Sequence, residues 1–419
     1  MSALRKVERT SAERTFAEQF AASPRSPSAT RAFQAFEAQG VPSRRVESWH
    51  YTDLRAALTA VAPLAPKPDQ ARIAEARALL SAEPAWAATR LVVLDGHFLR
   101  ELSDAAPEGA TLAEGAPALA LKEGADPMLA LAGALASGGF ALAAREGADI
   151  GRIEIVHLTR PGAATASHVA LSFAPGAKAF VIERVFGASA GTQRHRLASI
   201  SLAAGADVEH VVALGDSADL DLDSQSVTLD TEAQFRSFAL VTGGALTRRQ
   251  VFARLTGRRA KIALAGLSLL DGVRKADSTL EVTHTATNGE SREFFRHVVA
   301  DQATGVFQGK VIVEPKAQKT DGGMKSQAIL LSPTASMNNK PELEIFADDV
   351  VCGHGATVGA LDPEQLFYLQ ARGLPKPEAE AMLLEAFGAE AVERIADPQV
   401  AEAVLEVARA WFHGRGGAR

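Results

Sequence analysis

The most regular feature of the chain is a succession of short apolar runs between residues 153 and 332. The runs are rich in Val, Ile, Leu, Phe and Thr, and Gly, Asp, Asn or Pro separates them. Such spacing is typical of short β-strands joined by turns, so a region of roughly 200 residues is predicted to consist of strands. The clearest runs are RIEIVHL, HVALSF, KAFVIERVF, DVEHVVAL, AKIALAGLSLL, STLEVTH, KVIVE and SQAILLS.

Strands of this kind could form a sandwich, a propeller or a parallel β-helix. A sandwich requires hairpins, yet no hairpin dipeptide flanked by two matched strands recurs apart from Asn288-Gly289. Tryptophan-containing propeller motifs do not recur. Glycine-led starts at Gly176, Gly205 and Gly309 suggest turns of a repeated unit, although no fixed period is present. The pattern therefore favours a solenoid with irregular corners.

Helical periodicity appears on the N-terminal side of the strand region. Residues 4–40 carry apolar positions three or four apart and predict two helices, with Pro24 and Pro27 between them. Val61–Pro68 holds three prolines in eight residues and must be extended. Met128–Ala144 is uncharged but interrupted by glycines, which predicts a buried helix followed by a strand and not a membrane span.

A second helical segment follows the strands. Asp362 and Asp397 each precede a proline and then acidic or polar residues, which is a signature of helix N-termini. The sequence therefore predicts a mainly β protein in three parts. These are an N-terminal helical domain (1–148), a β-helix core (149–360) and a C-terminal helical domain (361–419).

Composition and charge narrow the function. Hydrophobic residues make up 47% of the 419 residues and charged residues 22%, as in ordinary globular proteins. The net charge of −6 disfavours nucleic acid as a partner. Cys352 is the single cysteine, so an internal disulfide is impossible and a reducing cytoplasm is expected. The charged first 16 residues do not resemble a secretory signal.

The segment from Gly305 to Gly359 carries the most specific motifs. It contains the blocks GVFQGK, AQKTD, PELEIFADDVVC and HGATVG, and QLFYLQARG follows. Together with the N-terminal RVESWHYTDL, these blocks resemble the SufB/SufD family of iron–sulfur cluster assembly proteins in order and spacing. The resemblance covers nearly the whole chain. It implies a right-handed parallel β-helix between two helical domains.

The cysteine count bears on the branch of the family. SufB chains carry additional cysteines, whereas this chain has one, so it resembles the SufD branch. The resemblance implies a scaffold and not an enzyme. It also implies pairing with a SufB homologue through the β-helices, docking of the SufC ATPase on the C-terminal helices, and a homodimer when the partner is absent.

Cys352 and His354 are the candidate metal ligands, because thiolate and imidazole suit iron or zinc. On a strand, these two positions point to the same face. The resemblance places a functionally important histidine at His354, facing a SufB cysteine. We therefore expect iron or a transient cluster to be shared with SufB and no cofactor to be held stably by the isolated chain. The nearby acids are expected to be solvated; they are Glu342, Glu344, Asp348 and Asp349.

Other interpretations remain open from the sequence. One is a SufB-like primary scaffold that holds a cluster alone. Another is a carbohydrate-active β-helix enzyme, which would need paired carboxylates in a cleft. The block Gly305–Lys310 superficially suggests a phosphate loop, but its glycine spacing is too short and Val311 stands where Ser or Thr binds magnesium. It is predicted to be a turn before a strand.

Overall fold

The computed structural model describes residues 9–22, 25–215 and 218–416. Residues 4–8 and Pro24, which belong to the predicted N-terminal helical segment, lie outside the described residues. The first eight of the 16 N-terminal residues compared with a secretory signal also lie outside the described residues.

Two facing sheets of parallel strands form the centre of the molecule, and the chain alternates between them. The first sheet has the order β19-β17-β15-β13-β11-β9-β7-β5-β1-β2, and the second has the order β18-β16-β14-β12-β10-β8-β6-β4-β3. The strands are β1 Thr89–Leu94, β2 His97–Phe98, β3 Ala110–Glu114, β4 Gly138–Ala144, β5 Asp149–Leu158, β6 Ala164–Phe173, β7 Lys178–Phe186, β8 Gln193–Leu202, β9 Asp207–Leu214, β10 Leu220–Leu229, β11 Gln234–Val241, β12 Leu246–Leu255, β13 Lys261–Leu270, β14 Lys275–His284, β15 Glu290–Val299, β16 Thr304–Val313, β17 Asp321–Leu330, β18 Ser336–Ile345 and β19 Val351–Gly359.

This arrangement is a parallel β-solenoid of about eight turns, so the predicted β-helix is confirmed. Strands of one sheet stack without slippage along most of their length. For example, Val208, Phe235 and Ile262 are direct neighbours in β9, β11 and β13, and all three are buried in the interior. Each buried side chain of this size contributes roughly 1.5–3 kcal/mol. Stacked apolar columns therefore hold successive turns together.

Corners between the strands use left-handed backbone where the turn demands it. Gly176 and Gly205 have φ of 70° and 68°, a region that glycine adopts without steric cost. Both lie in the turns predicted from the sequence. Gly309 does not, because it lies inside β16.

All but one of the N-terminal helices cover the outer face of the second sheet. They pack through buried residues such as Phe16, Trp49 and Met128 against Leu197 and Leu222. The exception, the helix Gln70–Ala82, packs on β1 and β5 of the first sheet. The helices are α1 Ser11–Ala21, α2 Pro27–Gln39, α3 Leu54–Ala57, α4 Gln70–Ala82 and α5 Pro127–Leu135.

The first 148 residues also contribute strands to the solenoid. β1 pairs in parallel with β5, and β4 pairs with β6, so this segment begins both sheets. Met128–Ala144 forms α5 and then β4, as predicted. The proline-rich connector is extended, and Leu64 forms a parallel bridge to Ala164.

The C-terminal helices cover the outer face of the first sheet. They are α6 Pro363–Ala371, α7 Lys376–Val392 and α8 Pro398–Gly416. Asp362 caps α6 by accepting from Glu364 N–H at 2.8 Å, which confirms the predicted helix start. Gly388 of α7 approaches Leu267 so closely that an added Cβ would lie 3.2 Å from it. The C-terminal helices thus lie on the opposite side of the solenoid from α1, α2, α3 and α5.

Candidate metal-binding site

Cys352 and His354 lie on β19, the last strand of the first sheet. Among the described strands, β19 pairs with β17 and leaves its other edge open. The register sets Cys352 beside Gly322 and His354 beside Met324. Cys352 and His354 are two residues apart on the strand, so both project to the same face, as predicted. This face is the interior side of the solenoid.

The two side chains differ in burial. Cys352 is half-buried and packs against the solenoid core, and this burial raises the pKa of its thiol. Gly322 leaves room for it, since an added Cβ there would lie 3.3 Å from Sγ. His354 is exposed because no further turn covers it. The imidazole is therefore accessible at the end of the solenoid, and the thiol lies just inside.

Two ligands do not complete a metal site. Within the described ranges, no cluster of three or more His, Cys, Asp or Glu side chains is placed to hold an ion. Three of the four nearby acids are engaged with lysines. Glu342 lies 3.1 Å from Lys340, Glu344 lies 2.6 Å from Lys310, and Asp349 lies 3.4 Å from Lys319. Further ligands would have to come from another molecule.

Comparisons with known proteins identify the family. The model of the SufBD core domain, from the SUF system of iron–sulfur cluster assembly, matches residues 156–387, more than half of the chain. The chain belongs to the SufB/SufD family. Within this family it is 31% identical over 411 residues to the iron–sulfur cluster assembly protein SufD of Escherichia coli, covering 94% of each chain.

Shorter matches occur with other members. The chloroplastic protein ABCI7 of Arabidopsis thaliana is 33% identical over 175 residues, which cover 42% of this chain and 37% of that protein. SufD of Bacillus subtilis is 35% identical over 124 residues, which cover 30% of this chain and 28% of that protein. The chain is thus a SufD-like iron–sulfur cluster assembly protein, and this membership favours an assembly protein over a carbohydrate-active enzyme.

The family block Gly305–Lys310 has a packing role in the structure. The prediction of a turn before a strand is wrong, because the block lies inside β16. Gly305 and Gly309 face Met337 and Met324 of neighbouring strands, and an added Cβ at either glycine would clash with the methionine sulfur. Glycine at these positions lets the two methionine side chains pack directly against β16.

Sequence reasoning missed a buried carboxyl group behind His354. Met324 lies between His354 and Glu293 in the register of β15, β17 and β19. Glu293 is 2% exposed and makes no ion pair or hydrogen bond of ordinary geometry in the described structure. Burial raises its pKa to about 8. The sequence could not reveal it, since a charged residue in a strand usually faces solvent.

Several other histidines are buried among polar partners. His157 and His210 both contact Glu183 inside the solenoid, at 3.0 and 2.9 Å. These contacts outweigh the burial of Glu183 and hold its pKa well below the usual range.

Across the described residues, no helix combines the length and apolar character that crossing a membrane requires.

Proposed function

We propose that this chain is the SufD subunit of a cytoplasmic SufB–SufC–SufD complex, and that it pairs with a SufB homologue at the open end of its solenoid. The open edge of β19 carries the proposal. Val351 and Phe346 are 73% and 61% exposed at this end. Unpaired backbone groups beside exposed apolar side chains are suited to pairing with another strand. A second copy of the chain could use the same edge when SufB is absent.

The C-terminal helices are the proposed docking surface for the SufC ATPase. Helix α6 buries none of its residues. Its Phe367 and Tyr368 are 72% and 57% exposed, and Met382 of α7 is 50% exposed. A helix that presents apolar side chains to solvent is suited to a groove on a partner.

His354 and Cys352 are proposed to supply two ligands for iron or a nascent cluster, which is cargo and not a resident cofactor. The partner would supply the remaining ligands across the interface. The role proposed for this chain is that of a scaffold without catalysis of its own. A reducing cytoplasm would keep the Cys352 thiol available for metal.

Selective blocking of the open edge tests the pairing. Val351 N–H donates to Thr320 C=O at 2.9 Å, so the alternate N–H groups, including that of Ala356, point away from β17. Ala356→Pro removes one outward N–H while proline remains tolerable at a strand edge. After co-expression with the SufB and SufC homologues, we expect this variant to lose SufB and retain SufC. Ala356→Ser is the matched control.

The same preparation tests the ligand role. We expect His354→Ala to keep both partners but to lower the iron and sulfide content of the purified complex. An unchanged cluster content would remove His354 from the site and leave the pairing proposal intact. Failure of the wild-type chain to bind either homologue would contradict the proposed function as a whole.

A further inference from the structure

A cleft of about 300 Å³ lies between the outer face of the first sheet and the end of α7. Ala263 and Ala265 of β13 form its floor, because the neighbouring strands carry larger residues at the same level. In register, Ala263 lies between Arg236 and Arg292, and Ala265 lies between Phe238 and Phe294. The small side chains of the middle strand thus create a trough.

Positive charge converges on one wall of this cleft. The Cζ atom of Arg394 lies 4.6 Å from the centre of the Phe294 ring, and Nζ of Lys325 lies 5.7 Å from it. Arg296 also lies over this ring but is ion-paired with Glu390. In the described part of the chain, neither Arg394 nor Lys325 has a carboxylate within 4.0 Å.

The other arginines of the cleft are held in place by acids outside it. Arg236 contacts Asp207 at 2.7 Å, and Arg292 contacts Asp321 at 2.6 Å. These pairs fix both guanidinium groups at the rim. The unpaired cation of the lining is therefore Arg394, and Lys325 lies just outside the lining beside Phe294.

Two acids also line the cleft. Glu209 is buried, accepts from Ala396 N–H at 2.7 Å and also contacts Arg236. Burial raises its pKa. Glu393 is exposed and, in the part of the chain that the structure describes, lies beyond 4.0 Å of any basic side chain. Neither acid is ion-paired with Arg394 or Lys325, and Glu393 leaves one unpaired negative charge at the edge of the cleft.

We propose that this cleft binds a small organic phosphate, whose phosphoryl group contacts Arg394 and whose apolar body lies on Ala263 and Ala265. A phosphomonoester carries a charge of about −1.5 to −2 near neutral pH, which matches two uncompensated cations better than a single carboxylate does. The cleft volume is at the lower limit of ordinary small-molecule sites, about 300–1,000 Å³. This inference is independent of the SufB pairing.

Calorimetric titration of the full chain with adenosine monophosphate and with phenyl phosphate tests the proposal. We expect saturable binding of at least one of them, weaker binding of inorganic phosphate, and a loss of about tenfold in affinity for Arg394→Gln, as for one charge-assisted hydrogen bond. Lys325→Gln should weaken binding less, because this side chain lies at the rim. Ala263→Leu should abolish binding by filling the floor.

Arg258→Gln is the matched control. Arg258 is an exposed arginine of the turn before β13 and does not line the cleft, and no carboxylate lies within 4.0 Å of it in the described structure. Its substitution should leave the affinity unchanged. The thermal midpoint of each variant verifies folding. Absence of saturable binding for both esters at millimolar concentration, or equal affinity in wild type, Arg394→Gln and Ala263→Leu, would overturn the proposal. Inorganic phosphate binding as tightly as both esters would overturn the role of the apolar floor.

Discussion

Glu293 shows what a single buried carboxyl group costs this fold. Its neighbours in the stack are Leu264 and Met324, which cannot donate hydrogen bonds of ordinary strength. Desolvation raises the pKa of Glu293, and the Ser291 hydroxyl lowers it by a smaller amount. Glu183 differs, because two histidines compensate its burial. The interior therefore accepts ionised carboxylates where it provides partners and keeps Glu293 protonated where it does not.

Replacing Glu293 by Gln should raise stability at alkaline pH. The pKa of Glu293 is raised to about 8 in the folded chain, whereas an unfolded glutamate titrates near 4.3. The folded state thus binds the extra proton between these values, and stability falls as pH rises through them. Gln mimics the protonated form at every pH. We expect the variant to gain roughly 4 to 5 kcal/mol over wild type near pH 8 and less than about 1 kcal/mol near pH 4.5.

Thermal midpoints measured from pH 5 to pH 8.5 check this expectation. The exposed Glu108→Gln is the matched control and should follow wild type throughout. Parallel midpoint curves for wild type and Glu293→Gln would show that Glu293 is ionised in the folded chain.

The family motif near residue 49 acts as an attachment between elements. Trp49 is fully buried and donates from Nε1 to Asp126 at 2.7 Å. Arg248 of β12 stacks on its ring at 3.8 Å and donates to Ser48 C=O at 2.7 Å. The same guanidinium contacts Asp277 of β14 at 2.5 Å. One arginine thereby joins the N-terminal helical unit to two strands of the second sheet.

Arg248→Lys should loosen this attachment despite keeping the charge. Lysine cannot reproduce the planar stacking on Trp49 or donate in three fixed directions, and Asp277 would remain buried without its full set of partners. Disruption of a buried ion pair costs about 3–5 kcal/mol. We expect faster proteolytic cleavage within residues 9–148 and a lower thermal midpoint. Arg254→Lys on the same strand is the control, since Arg254 is half-exposed. Equal cleavage rates in the two variants would refute the attachment role.

The elements were predictable where local chemistry determines them. Asp362 caps its helix because Asp before Pro is a local signal. The expectation that Cys352 and His354 point to the same face followed from strand geometry alone. Gly305 and Gly309 were misinterpreted as part of a turn, because the methionines that pack against them come from other strands. Glu293 was missed for the same reason, since inward and outward faces are set by long-range stacking.

At the scale of the whole molecule, burial on both faces of the strands keeps several histidines neutral. Burial lowers the pKa of His168, His195 and His284 to about 4 and that of His297 to about 3. They come from four strands: His284 and His297 face the solenoid interior, whereas His168 and His195 lie under the N-terminal helical unit. The effect therefore depends both on the stacked strands and on the attached helices. In the described structure the ring nitrogens of His195, His284 and His297 make no hydrogen bonds. Each of these histidines resists protonation while the chain is folded.

Mild acid should therefore destabilise the whole fold. An unfolded histidine takes up its proton near pH 6.5, whereas these folded histidines do so only near pH 3 to 4. The unfolded state binds more protons in this interval, so stability is lost as pH falls below 6.5, by about 1.4 kcal/mol per pH unit for each histidine. Glu293 acts in the opposite direction, because its raised pKa stabilises the folded state as the pH falls. It is a single group, however, and acts over only part of this interval. We expect the thermal midpoint to drop between pH 7 and pH 5.

His297→Gln identifies the contribution of one buried histidine. Gln does not titrate, so the midpoint of this variant should fall less steeply with acidification than that of wild type, even if the substitution lowers the midpoint at pH 7. His413→Gln is the control, because His413 is exposed on α8 and should leave the slope unchanged. The comparison depends on slopes and not on absolute midpoints, which separates loss of packing from proton uptake. Identical slopes in all three proteins would mean that His297 is protonated within the folded solenoid.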